Sequence, residues 1–176
     1  NKKEAKEIAK DAGVLCLPGY NINKSDTLEE IAFAAKKIGY PIMIKATAGG
    51  GGKGMRLVES QKSLESDLKL AKSESLSAFG SDEIILEKAM NNVRHIEVQV
   101  LGDQKGNFIH LGERDCSIQR RNQKIIEEAP APFVTKRLRE QICSEALKLA
   151  KAINYTNVGT VEFIVDDEEN PYFLEM

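Results

Sequence analysis

No apolar run in this 176-residue sequence approaches the length needed to cross a bilayer, and nothing at its start has the pattern of a signal peptide. Cysteine is scarce. Cys16, Cys116 and Cys143 form no CxxC pair, and an odd number makes a poor disulfide framework. Three reduced thiols are the plainer reading, and they point to a cytoplasmic or organelle-matrix setting. Only His95 and His110 could join the cysteines around zinc, at no familiar spacing. A basic excess is missing as well: 25 Lys and Arg stand against 27 Asp and Glu, a formal charge of -2, which argues against a general nucleic-acid binder. Neither nucleic acid nor membrane is therefore an expected partner. There is no initiating methionine, Asn1 leads directly into a helical pattern, and PYFLEM reads as a strand cut at its last side chain. These ends raise the expectation of a fragment from a longer chain.

With 41% hydrophobic and 30% charged residues, the composition is that of a globular domain with a real core rather than a disordered chain. Residues 2–12 read as a helix closed by Gly13, followed by a strand-like VLCL and a Pro18-Gly19 turn. Asp26 with Glu29 resembles a capping box, and Leu28, Ile31, Ala32, Ala35 and Ile38 give the next helix its apolar face. IMIKA at 42–46 and MRLV at 55–58 read as strands, 61–78 as a helix and EIILE at 83–87 as a strand. RHIEVQVLG alternates apolar Ile96, Val98 and Val100 with polar His95, Glu97 and Gln99, the period of a strand with one buried face. DQKG turns it into NFIHLGE, and an irregular charged stretch is expected from Arg114 to Lys124. A helix over 136–152, capped by Thr135, precedes a hairpin of TVEFIV and PYFLEM. Hairpins imply antiparallel sheets, so the expected class is α+β in two lobes. The expected divisions are a helix and the start of the core at 1–17, a small lid lobe at 18–88, and a larger lobe at 89–176.

Gly49, Gly50, Gly51 and Gly52 run into Lys53 and Gly54. Four adjacent glycines carry a large ordering cost, so a purely structural turn would be an inefficient use of them. Without Cβ atoms the backbone N–H groups can approach an anion, and Lys53 adds positive charge. The alternative is a plain flexible loop. Two familiar motifs fail here. GxGxxG should open a helix, whereas Met55–Val58 reads as a strand; a P-loop needs glycine at Thr47 and Ser or Thr at Gly54. A hairpin tip folding over phosphates as a mobile lid at 48–54 suits the pattern better, with Lys45 approaching from the preceding strand. If buried, Lys45 needs an anionic partner; an outward edge position is the other reading.

In TVEFIV, Glu162 shares a face with Thr160 and Ile164, and Glu175 lies thirteen residues on in the closing strand. Two carboxylates converging on one sheet face repel unless they share a proton or a cation, and magnesium with nucleotide phosphates would meet that need. Ordinary sheet-surface charge is the alternative. Arg114, Arg120, Arg121 and Lys124, against Glu113 and Asp115, form a local basic cluster suited to a small anion, or else a solvated loop.

Four blocks, IMIKATAGGGGKGMRLV, EKAMNNVRHIEVQVLGD, GERDCSIQRRNQKIIEEAPAP and GTVEF…YFLEM, resemble successive blocks of biotin carboxylase. This is the ATP-grasp component of biotin-dependent acetyl-CoA, propionyl-CoA, methylcrotonyl-CoA and pyruvate carboxylases. The resemblance spans most of 42–176, and ERDCSIQRR is its most specific part. It implies an α+β ATP-grasp fold with mainly antiparallel sheets and a glycine-rich lid. It also implies a ligase that converts ATP and bicarbonate to carboxyphosphate and ADP, then carboxylates N1 of biotin on a carrier domain or subunit. A carboxyltransferase, a homo-oligomeric parent, magnesium (with manganese as a substitute) and a cytoplasmic, mitochondrial-matrix or plastid location come with the family. By resemblance, Lys2, Lys45 and the segment Gly50, Gly51, Gly52, Lys53 and Gly54 meet the phosphates. Glu87, Lys88 and the backbone of Met90 meet adenine, while His95, Gln119 and Asn122 line the nucleotide pocket. Glu162 and Glu175 hold the metal, and Lys124 is the catalytic residue at the bicarbonate end.

Asn122 departs from members that carry histidine there; an amide still donates and accepts but holds no charge. The family continues past LEM with an asparagine, arginines and a glutamate that activates bicarbonate, so the piece by itself is expected to bind nucleotide and to be inactive. The alternatives are another ATP-grasp ligase, such as a carbamoyl-phosphate-forming enzyme, and a catalytically silent nucleotide-binding domain.

Overall fold

A computed structural model describes residues 2–48, 54–120 and 122–176. The contacts of these described residues divide into two compact units, one within 2–3, 17–48 and 54–91, the other within 4–16, 92–120 and 122–176.

In the first unit a four-stranded antiparallel sheet carries two helices. Its strands are β1 (Gly19–Asn21), β2 (Ile42–Ala46), β3 (Met55–Val58) and β4 (Ile84–Lys88), in the order β1-β4-β2-β3. The helices are α2 (Leu28–Ile38) and α3 (Gln61–Phe79). One sheet face gives Ile42, Ile44, Val58, Ile84 and Leu86 to a core with Ile31 and Ala35 of α2 and Leu64, Leu68 and Ala71 of α3. Strand alternation therefore sends Lys45 and Glu87 to the opposite face. The capping box of α2 sits one residue beyond the expected place. Thr27 Oγ1 accepts from Glu30 N at 3.2 Å, and Thr27 N donates to Glu30 Oε2 at 2.8 Å. Asp26 is engaged elsewhere, its Oδ2 accepting from Tyr20 Oη and Asn23 N at 2.8 Å each. Gly54, the described end of the glycine segment, has φ +69°, and an added Cβ would stand 3.0 Å from that of Ala46. Residues 49–53, with Gly50, Gly51, Gly52 and Lys53, lie outside the described residues.

The second unit is built on a five-stranded antiparallel sheet. Its strands are β5 (Arg94–Gly102), β6 (Phe108–Arg120), β7 (Gln123–Glu128), β8 (Asn157–Val165) and β9 (Pro171–Glu175), ordered β7-β6-β5-β8-β9. Ile96, Val98, Val100, Val161, Phe163, Val165 and Phe173 build a core with Leu138, Ile142, Ala146 and Leu149 of α4 (Lys136–Ala152). Ala9 of α1 (Lys2–Asp11) joins the same cluster. Thr135 caps α4, its hydroxyl accepting from Leu138 N at 3.2 Å. Tyr155 is clasped between two glycines: a Cβ at Gly102 would fall 2.0 Å from Tyr155 O, and one at Gly159 would fall 2.6 Å from its hydroxyl.

Two expectations need correction. VLCL is no strand, and Gly19 opens β1 rather than closing a turn. Only Cys16 bridges Phe173 in parallel, while Phe173 N donates to Leu15 O at 2.7 Å. The segment alternates correctly but finds one short neighbour. The stretch 114–124 is not irregular: β6 runs to Arg120 and pairs with β7, Gln119 opposite Lys124. Charged and polar residues on both faces hid the strand, with only Cys116 and Ile118 apolar between Arg114 and Arg120.

Candidate active site

The polar face of the larger sheet gathers the charged side chains. In β5, Ile96, Val98 and Val100 point to the core, so His95, Glu97 and Gln99 share the other face. Pairing lays Glu97 opposite Glu162 of β8 on one side and opposite Arg114 of β6 on the other. Glu162 is in turn the partner of Glu175 in β9. Gln119 and Lys124 arrive on the β6–β7 hairpin.

Lys124 is the centre of this arrangement. Its Nζ donates to Glu162 Oε1 at 2.7 Å and to Glu97 Oε2. Burial alone would lower its pKa, but the two carboxylates outweigh burial and raise it above the usual lysine value. Glu162 also meets His95 Nε2 through Oε2 at 2.7 Å. Burial pushes the Glu162 carboxyl up, and the hydrogen bonds from His95 and Lys124 overcome it, leaving a pKa of about 2. Gln119 Nε2 stands 2.6 Å from His95 Nδ1; with the amide donating there, the ring proton lies on Nε2, facing Glu162.

In the sequence Glu97 is only one of the polar positions of an alternating strand. It is 3% exposed, yet its carboxylate is shared by Lys124 and Arg114. Burial opposes its charge, and those two cations prevail, lowering its pKa. Arg114 Nε donates to Glu97 Oε1 at 2.7 Å and its Nη1 to Gln99 Oε1 at 3.0 Å; Gln99 Nε2 then donates to Gly159 O at 2.8 Å. The expected basic cluster is thus divided by the pleat. Arg114 and Lys124 serve Glu97. On the core-facing side Glu113 accepts from Arg139 Nε at 2.7 Å, and Asp115 from Arg94 Nη1 at 3.1 Å. Cys116, fully buried in β6, has its thiol pushed up to about 12 by desolvation and the nearby Glu97 charge, so it is a poor nucleophile at neutral pH.

In the smaller unit, Lys45 and Glu87 form a buried ion pair at 2.5 Å, the anionic partner that a buried Lys45 requires. Lys88 Nζ donates to Gly39 O and Tyr40 O, each at 2.9 Å. Met90 follows β4 and is half-buried. Asn122 is exposed at the β6–β7 turn with φ +61°, and Lys2 is the first residue of α1.

The sheet therefore brings together His95, Gln119, Lys124 and Glu162 by direct contact, with Glu175 in register beside Glu162. A profile described as the carbamoyl-phosphate synthase L chain, ATP-binding domain, matches residues 1–176. The chain belongs to that ATP-binding family. Among relatives of this ATP-binding domain, the propionyl-CoA carboxylase alpha chain of Ruegeria pomeroyi is 49% identical over 176 residues, covering all of this chain and 26% of the relative. A biotin carboxylase structure from Campylobacter jejuni, described as a beta-gamma-ATP complex, superposes with a TM-score of 0.95 at 49% identity. It covers 99% of this chain, which spans 39% of it. The biotin carboxylase domain of Hydrogenobacter thermophilus 2-oxoglutarate carboxylase, solved with MgADP, ADP and bicarbonate, gives 0.94 at 49% identity, with coverages of 100% and 39%. The fold is the ATP-grasp fold of biotin carboxylase, and the chain spans roughly a quarter to two-fifths of these relatives.

Proposed function

We propose that the protein carrying this chain is a biotin carboxylase, using ATP to join bicarbonate to biotin through carboxyphosphate. The observation that carries this is Lys124, held between two carboxylates beside the Glu162–Glu175 pair, in a chain similar along its whole length to carboxylases. Bicarbonate and the transferred phosphoryl group are anions, and a lysine that stays protonated offers them a fixed positive charge.

Lys45 is assigned to the nucleotide phosphates together with Lys2, Gly50, Gly51, Gly52, Lys53 and Gly54. Glu87, Lys88 and Met90 are assigned to adenine, and His95, Gln119 and Asn122 to the rest of the nucleotide pocket. Magnesium fits Glu162 and Glu175: both are oxygen donors, they sit opposite one another on neighbouring strands, and hard divalent ions favour such ligands. When bound, the ion supplies charge neutralisation between phosphates. The chain's own groups do the rest. His95 orients Glu162, Glu97 holds Lys124 over the sheet, and Arg114 holds Glu97.

A biotin carrier, a carboxyltransferase and a homo-oligomeric parent are the partners proposed by similarity. Mitochondrial or plastid relatives make an organelle as compatible as the cytoplasm.

The test is ADP release by the full-length protein with and without bicarbonate and free biotin. Dependence on both is expected, with loss of about a hundredfold or more in E162Q. ADP release that ignores biotin but responds to ammonia would move the protein to the carbamoyl-forming branch. ATP binding without turnover would make it a silent nucleotide-binding domain.

A further inference from the structure

The segment after β4 is fastened by more than its strand. Lys88 N donates to Pro18 O at 2.8 Å, and Ala89 N to Pro41 O at 3.0 Å. Those two backbone donors are therefore spent on structure. The Lys88 side chain then leaves the segment altogether. Its ammonium donates at 2.9 Å to the carbonyls of Gly39 and Tyr40, where α2 ends. The Gly39 carbonyl, at the C-cap of α2, lacks an intrahelical donor and carries partial negative charge, and the Tyr40 carbonyl lies one residue beyond; the lysine satisfies both acceptors at once. Gly39 has φ +84°, and a Cβ built there would stand 4.0 Å from Lys88 Nζ, which places the ammonium directly against the helix end.

Resting on the biotin carboxylase reading, we infer that Lys88 is a positioning residue for nucleotide-base selection, its ammonium bracing residues 88–90 against the end of α2. A purine is read from a backbone segment by hydrogen bonds whose donors and acceptors stand at set places. Adenine and guanine differ by exchanging a donor and an acceptor on that edge. With the N–H groups of 88 and 89 turned inward to Pro18 and Pro41, the reading edge narrows to the remaining groups of the segment. A shift of the segment would loosen the base and reduce discrimination, while groups that act on the phosphates would stay where they are. The side chain does not touch the base in this account; it acts through the backbone it carries.

The experiment compares K88M, K88Q and K88R with wild type in the full-length protein, reading biotin-dependent turnover on ATP and on GTP. In K88M the KM for ATP is expected to rise about tenfold or more, with kcat within about twofold and a smaller ATP-over-GTP ratio of kcat/KM. K88R, which can reach the same carbonyls, should restore most of the ratio. K88Q keeps one donor and should fall between, and it takes the place of K88M should that variant fail to fold. An unchanged KM and base ratio in folded K88M or K88Q overturns the inference. So does an equal loss of kcat on both nucleotides with the ratio unchanged, which marks general damage. If wild type shows no biotin-dependent turnover, the functional reading has failed, and the brace is judged by ATP against GTP equilibrium binding in the same variants.

Discussion

Glu97 sits in the middle strand of its sheet, held by Arg114 and Lys124 from the β6–β7 side, with almost no solvent. Truncating one member of a buried charged cluster leaves the others uncompensated, which costs more than the intact pairs contribute. E97A should destabilise the protein by about 3 kcal/mol in thermal or chemical denaturation, because among the described carboxylates Lys124 would keep only Glu162 and Arg114 only the more distant Glu127. E97Q should cost less, since its amide oxygen still accepts. An E97A variant within 1 kcal/mol of wild type would show that water already compensates these cations. The sequence made Lys124, His95, Gln119 and Glu162 visible through resemblance, and Glu162 with Glu175 through strand period and hairpin length. It did not single out Glu97. Alternation assigns a residue to the polar face of a strand but does not tell whether that face meets water or other side chains. The signal was present in the sequence: Glu97 stands two places after His95, on the same face.

Helix α4 illustrates the same limit at the scale of an element. Its extent and Thr135 cap were readable, but its buried face also takes in Glu145, 9% exposed. Gln141 Nε2 donates to Glu145 Oε1 at 3.0 Å, and Oε2 is buried with no hydrogen-bond partner among the described residues. Desolvation raises this carboxyl above its ordinary value of 4.5, outweighing Gln141 and the Lys148 charge. The folded state thus favours the proton. The associated stability is fully present below 4.5 and is lost as pH rises through the folded value. E145Q should match wild type in acid and exceed it at pH 7 by on the order of 1 kcal/mol, measured by denaturant titration at both pH values. A constant difference at every pH would remove the carboxyl from the explanation. The strands were less legible than the helices. β6 reads as loop because polar residues occupy both its faces beyond Gly112, and VLCL reads as strand although only one neighbour receives it.

Across the whole molecule, two separate apolar clusters replace a single core. Ile44 belongs to one and Ile142 to the other, each fully buried. Deleting one methyl group costs about 0.5–1.5 kcal/mol at such a site. In amide exchange on the full-length protein, I44V should lower protection in β2 and β4 by roughly two- to tenfold and leave β5 and β8 unchanged; I142V should do the reverse. Equal loss in both units from either variant would mean they open as one. That the chain carries antiparallel sheets was readable from its hairpins. The capping detail was one residue out, because Asp26 and Thr27 are both good caps, and Asp26 is taken up by local hydrogen bonds from Tyr20 and Asn23.

The Tyr155 clasp has a consequence for how this sequence can drift. At Gly159 the obstacle is the ring and hydroxyl of Tyr155, at 2.6 to 2.9 Å from a would-be Cβ, so the veto lasts only while the tyrosine does. A smaller residue at 155 would first empty the space, after which alanine at 159 becomes admissible; the opposite order passes through a clash. At Gly102 the obstacle is the carbonyl oxygen of residue 155 at 2.0 Å, which every amino acid there would present. The two glycines face the same neighbour, yet one is contingent on its partner's identity and the other is bound to the path of the chain.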